Sequence, residues 1–222
     1  MHSAPVLRGG LVARAAWLVL GLFFCALGIV CFLESKLGLS PWDVLHQGVA
    51  NHTPLSFGVA NEVVGVAVLG VAWALGSRPG PGTVANAVLI GGFIALVEPL
   101  HVVQSLSTDP LGVRAGLLVL GMMLFGVGTA FYIGAGYGAG PRDSLMVVGA
   151  RRTGARFGIV RATLELAALA AGFALGGKVG VGTVLFATLI GPTVEASFFL
   201  VTRSPLVANE HAGTPVPPHL GR

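Results

Sequence analysis

Gly38-Leu39-Ser40-Pro41-Trp42-Asp43-Val44-Leu45-His46-Gln47-Gly48-Val49-Ala50-Asn51 is the stretch on which the fold turns. Pro41 suits a first helical turn, where its missing N–H forfeits no hydrogen bond. Ser40 ahead of it offers a capping oxygen, and Asp43 falls in that turn, where the helix dipole favours a negative charge. The spacing therefore predicts a helix over Ser40 to Asn51. At about 1.5 Å per residue it is roughly 18 Å long, whereas the hydrocarbon core of a bilayer is about 30 Å thick.

The runs around it are of another kind. Ala15 to Leu33 is uncharged, and Phe57 to Gly76 and Thr83 to Leu100 hold a single glutamate each. Each is long enough to cross a bilayer as a helix, so the short segment reads as a re-entrant or interfacial half-helix among three spans, in preference to a fourth span. Arg8 and Arg14 ahead of the first run imitate a secretory signal, but the run is long for one and reads as a membrane span.

The pattern returns one hundred residues later. Sliding the chain against itself by that distance aligns the halves without a gap, and 27 of the 84 positions from Trp17 to Leu100 then meet an identical residue. The matches gather where the backbone is decided, which chance likeness between apolar helices does not explain. Gly21 meets Gly121, Gly28 meets Gly128, Gly38 meets Gly138, Pro41 meets Pro141 and Asp43 meets Asp143. Gly80-Pro81-Gly82-Thr83-Val84 returns as Gly180-Val181-Gly182-Thr183-Val184. A second half-helix is expected over Gly140 to Arg151, less well capped by Gly140, among spans at Ala115 to Ala135, Phe157 to Gly176 and Thr183 to Val201.

The expected fold is thus all-α: a polytopic transmembrane helix bundle of two homologous repeats, 15–100 and 115–201, each of three spans plus a half-helix, joined by a linker at 101–114. Residues 1–14 are expected as a cytoplasmic N-terminus and 202–222, rich in proline, as a disordered cytoplasmic tail. An odd number of spans per repeat turns the second upside down, whereas four would keep the two parallel. Arginine and lysine placement divides about ten to three in favour of the cytoplasm with three spans and about nine to four with four, which hardly discriminates. The shortness of the half-helix is what favours inversion.

Composition agrees with a membrane as the solvent. Hydrophobic residues make up 54% and charged residues 10% of 222, and the mean hydropathy is +0.85, where a soluble domain carries roughly a quarter charged residues. The net charge of +4 comes from residues beside apolar runs, so retention in the cytoplasm explains it without nucleic acid. Cys25 and Cys31 lie six apart in one helical run, pointing in different directions, and are not expected to bridge.

Charged residues inside the apolar runs carry the chemical signal, since each costs a few kcal/mol to insert without a partner or a task. Arg161 and Glu165, four apart, share a helix face and can pair, either to neutralise one another or to serve a substrate or proton. Glu195 follows Gly191-Pro192, which weakens the helix a turn earlier, and is the best single candidate for a titrating group. Glu62 and Glu98 sit near span ends, where snorkelling explains them. Asp43 and Asp143 are expected first to hold the half-helix starts through backbone N–H groups, and second to share a central polar site. Arg142 stands where the first repeat has Trp42, so the two half-sites are chemically unequal.

The substrate- or ion-binding candidates are therefore Asp43, Arg142, Asp143, Arg161, Glu165 and Glu195. Thr83 and Thr183 read as helix N-caps after tight glycine turns, not as phosphate loops, because no GK[ST] follows. Gly65, Gly70, Gly121, Gly126, Gly128 and Gly172 are expected to let helices approach closely. No nucleophile, base and orienting group fall at catalytic spacing, and the histidines form no metal-ligand pattern, so no enzyme, metal or cofactor is expected.

The run Gly38-Leu39-Ser40-Pro41-Trp42-Asp43-Val44-Leu45-His46-Gln47-Gly48, followed by Gly82-Thr83-Val84-Ala85-Asn86-Ala87 and Ile90-Gly91, resembles the YczE family of bacterial membrane proteins, related to the YitT group. The resemblance covers nearly all the chain except its termini, and the second half carries a degenerate echo of both motifs. It implies a multi-pass protein of the bacterial plasma membrane and supplies no catalytic or ligand residues. Two functions fit: a small-molecule transporter or exporter with a midplane polar site, or a non-transporting scaffold or accessory subunit. The expected partners are the lipid bilayer, an unidentified small-molecule substrate, and a protein partner or a second copy.

Overall fold

The computed structural model describes residues 7, 10–100, 104–108, 110–204 and 206. Most of the expected C-terminal tail and of residues 1–9 lies outside the described residues. Among them are eight α-helices and no strands: α1 (Leu11–Ser35), α2 (Pro41–His52), α3 (Phe57–Ala74), α4 (Pro81–Val97), α5 (Leu111–Gly134), α6 (Pro141–Thr153), α7 (Phe157–Ala174) and α8 (Val181–Arg203), with short 3-10 helices at Glu98–Leu100 and Gln104–Thr108. Six of them, α1, α3, α4, α5, α7 and α8, are long and apolar enough to cross a membrane. The remaining two, α2 and α6, have 12 and 13 residues and at about 1.5 Å each reach only part of the way. Corresponding helices begin one hundred residues apart: Leu11 and Leu111, Pro41 and Pro141, Phe57 and Phe157, Pro81 and Val181.

The bundle is centred on α1 and α5. A Cβ on Gly21 would lie 2.7 Å from the Gly128 carbonyl oxygen, and one on Gly28 would lie 2.7 Å from that of Gly121. As α1 is followed forward, α5 is met backward, so the two helices run antiparallel and touch backbone to backbone through glycines. Both start four residues ahead of their uncharged runs, and their arginines explain why. Arg14 Nε donates to the Ala135 carbonyl at 2.8 Å, and Arg114 Nε donates to the Ser35 carbonyl at 2.8 Å. Each guanidinium thus serves carbonyls left free at the other helix's C-terminus, where a positive charge also suits the dipole.

The Gly-x-Gly-Thr turns lock onto this centre, in a way that corrects the expected cap. Gly80 and Gly180 are the N-caps of α4 and α8, while Thr83 and Thr183 sit three residues in and accept, through Oγ1, the Gly80 and Gly180 N–H groups, each at 3.2 Å. The reason lies in the other half of the chain: Gly82 N–H donates to the Tyr137 carbonyl at 2.9 Å and Gly182 N–H to the Leu37 carbonyl at 2.8 Å. A helix start pressed on a foreign backbone strand has no room for Cβ atoms, and glycine removes them.

The glycines expected to mediate helix contacts divide. Gly121, Gly126, Gly128 and Gly172 abut neighbouring chain, Gly65 does so loosely, and Gly70 meets nothing within 4 Å. Gly70 faces outward, and its lack of a side chain is unused. Large apolar side chains such as Val66, Trp73, Leu166, Phe173 and Leu200 are exposed around the periphery, as lipid contact requires.

Candidate functional site

The start of α2 is organised by its own sequence. Ser40 Oγ accepts the Asp43 N–H at 3.2 Å, and its hydroxyl donates to Asp43 Oδ2. Asp43 Oδ1 meets His46 Nδ1 at 3.2 Å, and the Asn61 amide reaches the same ring nitrogen at 2.9 Å. Asp43 and His46 are each 1% exposed, so this is a fully enclosed polar network. The expectation that Asp43 binds backbone N–H groups is corrected: the serine takes that role, and the carboxylate is held by side chains. Asp143 differs again, being half-buried and accepting the Tyr132 hydroxyl at 3.3 Å. Gly140 has no side chain to copy Ser40, so the first-turn N–H groups of α6 receive no cap.

Arg142 joins the two halves. Its Nη2 lies 4.0 Å from Asp43 Oδ1 and 3.5 Å from His46 Nε2, and its guanidinium sits over the Trp42 ring at 5.2 Å. No other acceptor among the described residues bonds it, although guanidinium carries five donors. Trp42 is buried, and its Nε1–H has no acceptor at all among the described residues. A buried unpaired donor of this kind costs about 1–3 kcal/mol.

These groups border a cavity of about 530 Å³ into which both half-helix starts project, residues 40–42 from α2 and 140–143 from α6. Five of the six candidate residues line it: Arg142, Asp143, Arg161, Glu165 and Glu195, while Asp43 stands just behind Arg142. Arg161 Nε and Glu165 Oε1 pair at 2.9 Å along one face of α7. Glu195 is exposed and has no partner among the described residues. Pro192 sits inside a continuous α8, so the helix is not interrupted there. Phe125, Phe186, Phe198 and Ile190 supply an apolar wall.

The cavity is walled unequally. On one side α3 and α4 are shut together: a Cβ on Gly58 would lie 2.6 Å from the Gly91 carbonyl oxygen. On the other, the corresponding Gly158 and Gly191 meet nothing within 4 Å, and α7 and α8 scarcely touch. The same glycine pair is present in both halves but engaged in only one.

Reading the sequence missed three members of this site. His46 belongs to a set of histidines with no metal-ligand pattern and so draws no notice, although its spacing of three from Asp43 puts both on one helix face. Asn61 and the orphaned Trp42 N–H gave no signal, since their roles depend on contacts between helices.

Taken together, the helices and this enclosed polar cluster define a polytopic helical membrane protein with a charged cavity between its half-helices. The chain belongs to the family of unknown function DUF6198, whose profile matches residues 12–198, and with it to the YczE family. It is 38% identical over 186 residues to the uncharacterised membrane protein YczE of Bacillus subtilis, covering 82% of this chain and 83% of that one. An uncharacterised protein of Haemophilus influenzae is 36% identical over 193 residues, 87% of each chain. The B. subtilis protein YyaS is 26% identical over 198 residues, 86% of this chain and 94% of its own. No solved structure matches.

Proposed function

We propose that this protein is a small-molecule transporter of the bacterial plasma membrane, built from two inverted repeats that rock about the central cavity, with both termini cytoplasmic. The observation that carries the reading is the convergence on one cavity of both half-helix starts and of charged residues of both signs from α6, α7 and α8. Transporters built from repeats place substrate at such a junction, where helix ends supply partial charges. Inversion is supported by the reciprocal contacts: Arg14 to Ala135 and Arg114 to Ser35, Gly82 to Tyr137 and Gly182 to Leu37. A twofold axis that exchanges antiparallel helices lies across them, in the plane of a membrane they span. Alternating access then follows from the glycine pairs. With α3 and α4 shut while α7 and α8 stand apart, one route to the cavity is closed and the other open, and exchange of these two states moves substrate. Glu195 or Glu165 exchanges a proton in that cycle.

A scaffold or accessory role draws support from α7 and α8, whose outer faces carry exposed Leu166, Phe173, Phe199 and Leu200, but lipid already accounts for such faces. The deciding experiment loads proteoliposomes by incubation with an isotope-labelled bacterial extract and identifies solutes retained in the lumen. Transport predicts a solute enriched by the wild-type chain and lost with Glu195→Gln or Glu165→Gln. Enrichment untouched by both variants removes the proton role. No enrichment, together with a stoichiometric partner after mild solubilisation, replaces the transporter by the scaffold.

A further inference from the structure

Within that transport reading, we propose that the cavity binds an apolar zwitterion: a small molecule that carries a carboxylate, an ammonium and a hydrocarbon side chain.

The carboxylate end is marked by donors that have nothing to bond. Trp42 Nε1–H is buried without an acceptor, and the Arg142 guanidinium beside it keeps most of its donors unengaged. The uncapped first turn of α6 adds backbone N–H groups at the same wall. Helix starts alone recognise any anion; the orphaned indole, which Arg142 covers at 5.2 Å, is the independent mark of a missing acceptor. A carboxylate at this wall accepts from the Arg142 guanidinium and, once the Trp42 ring turns its edge toward the cavity, from the indole N–H as well.

The charge count decides what the rest of the molecule carries. Arg142 and Arg161 face Asp143, Glu165 and Glu195, and Asp43 adds a further negative charge behind Arg142. A simple anion enters a cavity that already holds an excess of negative charge. A simple cation answers Glu195 but leaves the indole and guanidinium donors bare. Only a molecule with both charges satisfies Glu195, which lacks a partner, and the donors opposite. Phenylalanines line the same cavity, and about 530 Å³ has room for an amino acid or a short peptide with an aliphatic side chain.

The test uses the full chain in nanodiscs with Trp17→Phe and Trp73→Phe, which leaves Trp42 as the sole tryptophan. Its emission is titrated with leucine and leucylleucine, with 4-methylpentanoate, which lacks the amine, and with 3-methylbutylamine, which lacks the carboxylate. The expected result is a saturable shift with at least one zwitterion and binding weaker by on the order of tenfold for each single-charge analogue. Glu195→Gln should erase the advantage of leucine over 4-methylpentanoate while leaving the acid's own binding in place. Equal binding of either analogue, or no saturable response to both zwitterions, overturns the proposal. Spin labels on the outer faces of α7 and α8, at Phe173 and Phe199, separate this from the transport reading. Two interconverting distances without zwitterion binding keep the transporter and discard this ligand, and a single distance discards the transporter.

Discussion

The Arg142 guanidinium lies 5.2 Å from the centre of the Trp42 ring, and these residues hold the same place in the two halves of the chain. Cys25 does likewise, its Sγ lying 3.8 Å from the carbonyl oxygen of Phe125. In the proposed inverted arrangement, a residue that meets its own counterpart sits on or near the twofold axis. At such a place two identical side chains face each other, and two arginines there would repel beside a single buried aspartate. Trp42 and Arg142 resolve this by being different: one supplies a flat ring and the other the charge that Asp43 requires.

The inequality of the two aspartates should appear in stability. Asp43 is enclosed with Ser40, His46 and Arg142 as partners, and Asp43→Ala leaves Arg142 without its neighbouring carboxylate and Ser40 and His46 without their hydrogen-bond partner. We expect a loss of about 3–5 kcal/mol. Asp143→Ala removes a single long bond to Tyr132 at a half-buried site, for about 0.5–1.5 kcal/mol. Thermal unfolding of the detergent-purified variants measures both, and equal shifts would contradict the assigned network.

The proposed inversion of the repeats has a direct topological consequence. Arg78 and Lys178 occupy equivalent exposed turns and lie on opposite sides of the membrane if the second repeat is upside down. Single cysteines at these positions, in a Cys25→Ala, Cys31→Ala background, should label with opposite sidedness in intact cells. Labelling from the same side would mean parallel repeats and remove the alternating-access argument. Gly177 is unsuitable for this purpose because it is packed against Val44.

Close helix approach can be separated from idle glycine by size alone. Gly121→Val places methyl groups against the Gly28 carbonyl and should abolish folding or cost about 3 kcal/mol or more. Gly70→Val meets open space and should fold like the parent chain. Fluorescence-detected size-exclusion chromatography of both variants suffices, and an intact Gly121→Val would refute the packed α1–α5 contact.

The sequence was most legible where physics is local. Apolar runs set the six membrane-length helices, and Ser40-Pro41 and Pro141 marked the half-helix starts to within a residue or two. The pairing of Arg161 with Glu165 followed from their spacing of four, and the structure has them bonded. What could not be read depended on which elements meet. Arg14 and Arg114 looked like topogenic charges, whereas each serves the far end of the opposite central helix, a role visible only once α1 and α5 are known to be antiparallel. Reading Thr83 and Thr183 as N-caps puts them three residues too early in their helices, because the contact with the Tyr137 and Leu37 carbonyls draws the glycines into the helix start. The convergence of α6, α7 and α8 on one cavity likewise has no local signature.

Least legible of all was the difference between the two glycine pairs, because the residues are the same in both halves. Gly58 is pressed against Gly91, while Gly158 and Gly191 stand in open space. This gives a substitution whose effect depends on the state. A Cβ on Gly158 meets nothing within 4 Å, so Gly158→Leu should leave thermal stability within about 0.5 kcal/mol of the parent. If α7 closes on α8 as α3 closes on α4 in the proposed cycle, the added side chain blocks that closure and holds the protein in one state. Gly58→Leu acts oppositely, since its side chain meets the Gly91 backbone in the present arrangement, and should destabilise it by about 1–3 kcal/mol. The check is a cysteine at Glu195 on the cavity wall, in the cysteine-free background, probed with an impermeant maleimide from each side of sealed vesicles. The parent should react from both sides over time and Gly158→Leu from one side only. Reaction from both sides at the parent rate in Gly158→Leu would mean that α7 and α8 do not close, and that the open glycine pair is a fixed feature of the fold rather than half of a cycle.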